Sequence, residues 1–181
     1  MGPVQEAMPG LVAGDASEAT PGALLDGARR EAMARAGRLL ASRPRTEKEL
    51  ADRLGDAGFE PPVVAAVLER LRKLGLVNDE DFALQWIEER SARKRLSGRV
   101  LLHELRGKGV APEVAEAALA RAGLDEEAQA VELAARYVRR VATKPLRDQF
   151  TRIQQMLARR GYAYEVAEAA ARKVLPPEGW D

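Results

Sequence analysis

The chain repeats one pattern in two stretches, GVAPEVAEAAL at Gly109–Leu119 and GYAYEVAEAAA at Gly161–Ala171, which lie about fifty residues apart. Two alanine-rich helices could share these letters by coincidence, or the stretches could be copies of one structural module. A copied module predicts that further residues coincide, above all the glycine that ends a helix and the apolar residues that face a core.

The coincidence extends to a third stretch, GFEPPVVAAVL at Gly58–Leu68. When the leading glycines are superposed, apolar residues recur at fixed distances before and after them. The superposed sets are Gly58, Gly109 and Gly161; Leu50, Leu101 and Ile153; Leu54, Leu105 and Leu157; and Val63, Val114 and Val166. Alanine content alone would not align these positions. We therefore predict an all-α fold of three tandem three-helix repeat modules forming an elongated, curved array.

Local signals set the expected boundaries of the modules. A Gly-, Pro- and Ala-rich start predicts a disordered N-terminal arm over residues 1–28, and two prolines predict a flexible tail over residues 176–181. Between them we expect modules at residues 29–77, 78–123 and 124–175. Thr46 with Glu49 forms a capping-box pattern, Asn78 is a good N-cap, and Pro61 and Pro112 suit the first turn of a helix.

The composition favours helices and limits the classes of function. The chain is 46% apolar but only 4% aromatic, and its abundant Ala, Leu, Arg and Glu are strong helix formers. The net charge is +1, so a surface for nucleic acid or an acidic partner requires local segregation of charge. There is no cysteine, which excludes disulfides and thiol chemistry. Without an apolar run of about 18–20 residues or a signal-peptide pattern, we expect no membrane contact and a cytoplasmic location.

No residue pattern indicates catalysis. His103 is the only histidine, and no serine or second histidine is spaced to form a triad with it. The acidic run Asp79–Asp81 could suggest a metal, but it fits the first turn of a helix better than a calcium loop. No GxxxxGK[ST] phosphate loop occurs. We therefore predict a protein that is not an enzyme, with no catalytic residue, cofactor or metal.

The first module also resembles a DNA-binding motif. RTEKELADRLGDAGFEPPVVAAVLERLRKLGLV, at Arg45–Val77, has the leucine pair, turn glycine and third helix of a helix-turn-helix. A winged-helix-like, sequence-specific transcriptional regulator is the alternative hypothesis. It requires a β-hairpin after the third helix, whereas NDEDFALQWIEERSARK follows and has the pattern of a capped helix.

The stretch between the first two modules is the most distinctive. GLVNDEDFALQWIEERSARKRLSGRVLLHELRGKGV, at Gly75–Val110, resembles the RecX family, bacterial modulators of the RecA recombinase. The matching residues are Gly75, Leu76, Val77, Asn78, Asp79, Phe82, Ala83, Trp86, Arg90, Glu104, Leu105, Lys108, Gly109 and Val110. The chain departs from the family at Val100 and Leu102, where further basic residues are common.

The resemblance implies a non-enzymatic regulator of DNA repair and recombination. RecX-like proteins bind the RecA–single-stranded DNA filament and suppress its ATPase, strand-exchange and coprotease activities. The implied partners are the RecA filament and the phosphates of single-stranded DNA, with weak affinity for DNA alone. A monomer is expected. An array of modules offers several contacts in series, which gain avidity.

Two basic segments are the candidate binding residues. They comprise Arg90, Arg93, Lys94, Arg95, Arg99, Arg106 and Lys108, and then Arg136, Arg139 and Arg140. Lys and Arg near phosphates give salt-sensitive binding that is independent of base sequence. The alternative is a solvated helix face balanced by nearby acidic residues such as Glu88 and Glu126. Phe82 and Trp86 could stack on bases, but their spacing of four favours a core position.

Overall fold

The computed structural model describes residues 21–177, and within that range the chain forms nine α-helices and no β-strand. The helices are α1 Pro21–Ser42, α2 Glu47–Gly55, α3 Pro61–Lys73, α4 Asp79–Lys94, α5 Gly98–Gly107, α6 Pro112–Ala122, α7 Glu126–Val141, α8 Leu146–Ala158 and α9 Tyr164–Val174. The prediction of an all-α fold is confirmed.

The helices pack in consecutive groups of three, each around its own apolar core. We call α1–α3 module 1, α4–α6 module 2 and α7–α9 module 3. The residues that the repeat superposes lie at matching places in these cores. The second helix of every module buries its two aligned apolar residues completely: Leu50 and Leu54, Leu101 and Leu105, and Ile153 and Leu157. Duplication therefore explains the repeated sequence.

Most of the predicted helix starts are observed. Asn78 caps α4 by accepting hydrogen bonds from the backbone of Glu80 and Asp81. Thr46 caps α2 by accepting from the backbone N–H of Glu49. The second half of the predicted capping box is absent, because the Glu49 carboxylate binds Lys108 and Arg43 instead of the cap.

One sequence-based expectation is corrected, and the capped helix predicted after the first module is confirmed. Helix α1 begins at Pro21, so residues 21–28 are helical and the disordered arm that was expected over residues 1–28 cannot extend through them. Residues 1–20 and 178–181 lie outside the described residues. The chain after α3 forms α4 directly, so the hairpin that a winged helix needs does not occur between residues 21 and 177.

Modules 1 and 2 meet where α2 begins, a contact that we call joint 1. The backbone N–H of Glu47 donates to Asp79 Oδ1 at 2.9 Å, at the start of α4. The buried Thr46 hydroxyl donates to the carbonyl of Lys108 at 2.7 Å, in the turn between α5 and α6. The first N–H groups of a helix have no partner within the helix, so a carboxylate from the next module satisfies one of them.

Modules 2 and 3 meet in the same way at the start of α5, and we call this contact joint 2. The backbone N–H of Gly98 donates to Glu126 Oε1 at 2.7 Å, beside the first turn of α7. The backbone N–H of Ser97 donates to the carbonyl of Arg160 at 3.0 Å, in the turn between α8 and α9. Each joint therefore caps the second helix of one module with groups from the next module.

The joints explain why glycine occupies two of the superposed positions. Gly109 and Gly161 have φ values of 81° and 89° and directly follow the carbonyls that the joints use. A Cβ on Gly109 would overlap the side chain of Lys48, and one on Gly161 would overlap Ser97 and Val100. Gly58 has a φ of 86° but no neighbour within 4 Å of such a Cβ. Its role is limited to the turn.

Joint 1 also contains a partly buried ion pair. Lys108 Nζ lies 2.8 Å from Glu49 Oε1, and both side chains are about one-fifth exposed, at 19% and 20%. Burial raises the pKa of Glu49, but hydrogen bonds from Lys108 and Arg43 outweigh burial and hold the pKa below its ordinary value. The ionised carboxylate therefore stabilises the folded chain at neutral pH, and this contribution is lost as the pH falls through the folded pKa.

Replacing Gly161 with alanine should destabilise the protein more than replacing Gly58. Both variants place a Cβ at positive φ, which costs about 1–2 kcal/mol. Gly161→Ala also crowds joint 2, which adds about 1–3 kcal/mol. Urea denaturation measures the difference. Equal losses of stability in the two variants would show that Gly161 serves only its turn.

Replacing Glu49 with glutamine should reduce stability at neutral pH and make less difference in acid. The gap in free energy of unfolding between wild type and Glu49→Gln should narrow as the pH falls below the ordinary Glu value of 4.5. Glu116→Gln, an exposed substitution on α6, is the control and should show almost no gap. A gap for Glu49→Gln that stays constant from neutral to acid pH would contradict the assigned pair.

Candidate functional site

The ten candidate residues divide into two groups in the structure. Arg90, Arg95 and Lys108 have side chains less than one-third exposed, and each is held in ion pairs. The other candidates lie on exposed positions: Arg93, Lys94, Arg99, Arg106, Arg136, Arg139 and Arg140. The sequence did not separate these groups, because both consist of basic residues near the ends of helices.

Arg90 and Lys108 enclose an aromatic ring in module 2. Trp86 lies 4.2 Å from the Arg90 guanidinium and 4.3 Å from Lys108 Nζ, measured to its ring centroid. Its indole N–H donates to Glu104 Oε2 at 2.9 Å, and Arg90 Nε lies 3.2 Å from the same oxygen. Phe82 stacks on Trp86 with 5.9 Å between ring centroids. We call these five residues the Trp86 cluster.

The Trp86 cluster uses its charges internally. Cations over an indole ring and a shared carboxylate stabilise one another in a partly desolvated place. Phe82 is buried and Trp86 is half-buried, as the spacing of the two aromatics indicated. Because Lys108 also binds Glu49 of module 1, the cluster connects the core of module 2 to joint 1.

Arg95 is paired across joint 2, as Lys108 is paired across joint 1. It ends α4 with a φ of 52°, and its guanidinium donates two hydrogen bonds to the carboxylate of Glu132 on α7. Its carbonyl accepts a hydrogen bond of 3.1 Å from the Tyr162 hydroxyl. Burial raises the pKa of Tyr162 to about 12, so this hydroxyl remains a donor at neutral pH. Arg95 is therefore held across joint 2 by contacts within the protein.

Five exposed candidates make no side-chain hydrogen bond or ion pair with any residue from 21 to 177. These are Arg93, Lys94, Arg106, Arg139 and Arg140, which we call the free cations. All five lie in the last turn of α4, α5 or α7. A cation there complements the partial negative charge of the helix end, and its charged head remains in water.

The remaining two exposed candidates have weaker attachments. Arg136 pairs with Glu132 one turn earlier on α7. Arg99 Nη2 lies 3.4 Å from the carbonyl of Gly161, a long hydrogen bond across joint 2. Surface contacts of this kind contribute little to stability, so both side chains can also bind a partner.

The sequence did not identify the acidic and aromatic partners that distinguish the paired basic residues from the exposed ones. Glu132, Glu126 and Tyr162 lie in module 3 but bind residues of module 2. Glu126 and Asp79 each follow the N-cap at the start of the first helix of their modules, and this shared register was a usable signal. The contact of Glu132 with Arg95 left no such signal in the sequence, because it joins residues of different modules.

Residues 21–177 contain no group of three or more His, Cys, Asp or Glu side chains that could hold a metal ion. None of the helices in this part of the chain is long and apolar enough to span a membrane. The exposed candidate residues offer fixed positive charge. Such a surface can bind phosphates or carboxylates.

Comparisons with known proteins agree with the three-module architecture. Models of the first, second and third three-helix domains of RecX match residues 32–71, 78–119 and 125–171, in that order. The regulatory protein RecX of Mycobacterium sp. (strain KMS) is 43% identical over 138 residues, which cover 72% of this chain and 74% of the relative. The regulatory protein RecX of Thermobifida fusca (strain YX) is 37% identical over 143 residues, covering 78% and 77%.

A solved structure shares the fold. The crystal structure of RecX from Lactobacillus salivarius matches with a TM-score of 0.76 at 22% identity, covering 82% of this chain and 97% of that chain. Three consecutive domain matches and relatives at these identities show that the chain belongs to the RecX family of regulatory proteins.

Proposed function

We propose that this protein binds the RecA–single-stranded DNA filament and inhibits its ATPase, strand-exchange and coprotease activities. It acts as a regulator of DNA repair and recombination and not as an enzyme. This function requires a cytoplasmic location, and the proposal takes the acting species to be a monomer. The observation that carries the proposal is membership of the RecX family across all three modules.

The free cations supply the binding chemistry in this proposal. They lie in modules 2 and 3, and Arg93 and Arg140 hold the same position in the sixteen-residue helices α4 and α7. A repeated cation suits a partner that is itself a repeating polymer. Single-stranded DNA within a protein filament presents such a repeat of phosphates.

Low net charge is consistent with weak binding to DNA alone. The net charge of +1 provides no long-range attraction for a polyanion, so contacts with the recombinase must supplement contacts with phosphate. Modules linked by the two joints bring several weak contacts to one filament, and their combined affinity exceeds that of any single contact.

The alternative of a sequence-specific regulator has little support in module 1. The buried face of α3 consists of Val63, Val64, Val67 and Leu71. Two of its basic residues are paired, Arg72 with Glu47 and Lys73 with Glu69. The basic side chains of α3 are confined to its last turn, whereas a recognition helix contacts base edges with its N-terminal residues.

Reversing two free cations should weaken inhibition of the filament without unfolding the protein. We expect Arg93→Glu/Lys94→Glu to require a higher concentration for half-inhibition of RecA ATP hydrolysis on single-stranded DNA. Binding to the filament should also become less salt-dependent, by about 0.7 in the log–log slope for each lost phosphate contact.

Arg35→Glu/Arg38→Glu is the matched control, because it makes the same charge change on exposed positions of α1 outside the candidate set. It should inhibit like the wild type. Absence of inhibition by the wild-type protein, at several-fold excess over filament sites, would refute the proposed function. Equal weakening by both double variants would refute the role of Arg93 and Lys94.

A further inference from the structure

Module 3 contains an open cleft of about 370 Å³ between α7 and α8. Its size falls within the range of small-ligand sites. It is lined by Leu133, Arg136, Tyr137, Arg140, Met156 and Arg160. Three guanidiniums, one phenol ring and two apolar side chains therefore face one space, and no carboxylate is among the lining residues.

The cleft corresponds in the repeat to the position of the Trp86 cluster in module 2. Helices α4 and α7 are both sixteen residues long, so Leu133 takes the position of Trp86 and Tyr137 that of Arg90. In the turns before Gly109 and Gly161, Arg160 takes the position of Lys108.

The two modules differ in what occupies this position. Module 2 holds an indole ring between two cations, and the Glu104 carboxylate binds the ring N–H and Arg90. In module 3, Leu133 is smaller than an indole, and Met156 replaces the carboxylate of Glu104. Basic residues still line the space. Module 3 therefore lacks the flat ring and the anion that complete the arrangement in module 2.

The charges of the cleft are only partly satisfied within the protein. Arg136 pairs with Glu132, which also binds Arg95, so one carboxylate is shared by two guanidiniums. Arg160 Nη1 donates to the carbonyl of Met156 at 3.3 Å. Arg140 is one of the free cations. An anion that enters the cleft can therefore gain hydrogen bonds from guanidiniums without displacing a buried ion pair.

We propose that the cleft of module 3 binds one nucleotide of single-stranded DNA. The base would take the place that Trp86 has in module 2, with Tyr137 and a guanidinium against its faces. The phosphate would take the place of the Glu104 carboxylate, bound by Arg140 and Arg136. A nucleotide carries a planar ring and an anion in one unit, which is the pair of groups that module 3 lacks. This inference deepens the proposed function by assigning a site for DNA.

An acidic peptide is a different ligand for the same charges. It would need an aromatic side chain beside a carboxylate to match the arrangement in module 2, whereas every nucleotide carries both groups. Stacking of bases on aromatic and guanidinium groups is also tolerant of base sequence, as a regulator of filaments on any DNA requires. The cleft therefore favours the nucleotide.

The test uses the full-length protein and a fluorescein-labelled fifteen-residue oligothymidylate, without recombinase. Leu133→Trp should fill the cleft with the ring that module 2 carries, and it removes no charge. We expect this variant and Arg140→Ala each to weaken binding by roughly fivefold or more, since losing one stacked base or one phosphate contact has an effect of this order. Ala135→Trp on α7 and Arg152→Ala on α8, at exposed positions outside both the cleft and the candidate set, should weaken binding much less.

A second probe separates the contribution of the bases to binding from that of the phosphates. An oligonucleotide with abasic sites keeps every phosphate but lacks bases, so the wild type should bind it more weakly than oligothymidylate. Leu133→Trp should bind the two probes equally, because its cleft no longer admits a base. Thermal unfolding verifies that each variant is folded. Arg140→Ala tests the site independently if Leu133→Trp fails to fold.

Three outcomes would overturn the inference: unchanged binding by Leu133→Trp and Arg140→Ala, equal losses in the cleft variants and their controls, or no preference of the wild type for bases. The site would be reassigned to a protein partner if Leu133→Trp and Arg140→Ala weakened binding of a peptide of alternating Asp and Phe but left oligothymidylate binding unchanged. The proposed function would fail separately, through absence of inhibition of RecA ATP hydrolysis.

Discussion

The arrangement of the three modules depends on how the second helix of a module is capped. The N-terminus of a helix leaves backbone N–H groups without partners and carries partial positive charge. In modules 1 and 2 the missing acceptor is a carboxylate at the start of the next module, Asp79 for α2 and Glu126 for α5. Because a capping hydrogen bond is short and directional, it fixes position as well as adding stability. The turn glycines, Gly109 and Gly161, leave the space that this close approach requires.

This constraint determines which of the candidate basic residues are paired within the protein. Lys108 and Arg95 lie beside the joints, where carboxylates of neighbouring modules bind them. Arg90 completes the Trp86 cluster. The free cations lie in the last turns of α4, α5 and α7, where no carboxylate of residues 21–177 pairs with them. The same residue type therefore occurs in two environments, which differ in whether a carboxylate from another element lies within reach.

The sequence predicted the fold well, but it did not predict which of the candidate basic residues pair within the protein. Superposed glycines, leucines and valines indicated three modules, because packing and turns impose local and periodic demands on residue type. The spacing of Phe82 and Trp86 indicated burial for the same reason. The partners of Arg95 and Lys108 could not be predicted, because Glu132 and Glu49 lie in other modules and reach them only after the joints form. The sequence also did not predict the open cleft of module 3. Leu133 leaves space where module 2 has Trp86, but this space becomes a cleft only because residues distant in sequence, such as Met156 and Arg160, line it.

Arg93 and Arg95 provide the most direct test of this division, since they are two residues apart in a basic segment that the sequence presents as uniform. Each is replaced by alanine, and the free energy of unfolding and the affinity for the RecA–single-stranded DNA filament are measured for both variants. Arg95→Ala should lose about 1.5–3 kcal/mol of stability, because its hydrogen bonds to a carboxylate are lost. Arg93→Ala should stay within about 0.5 kcal/mol of the wild type and bind the filament more weakly. Loss of stability in Arg93→Ala, with Arg95→Ala as stable as the wild type, would contradict the account.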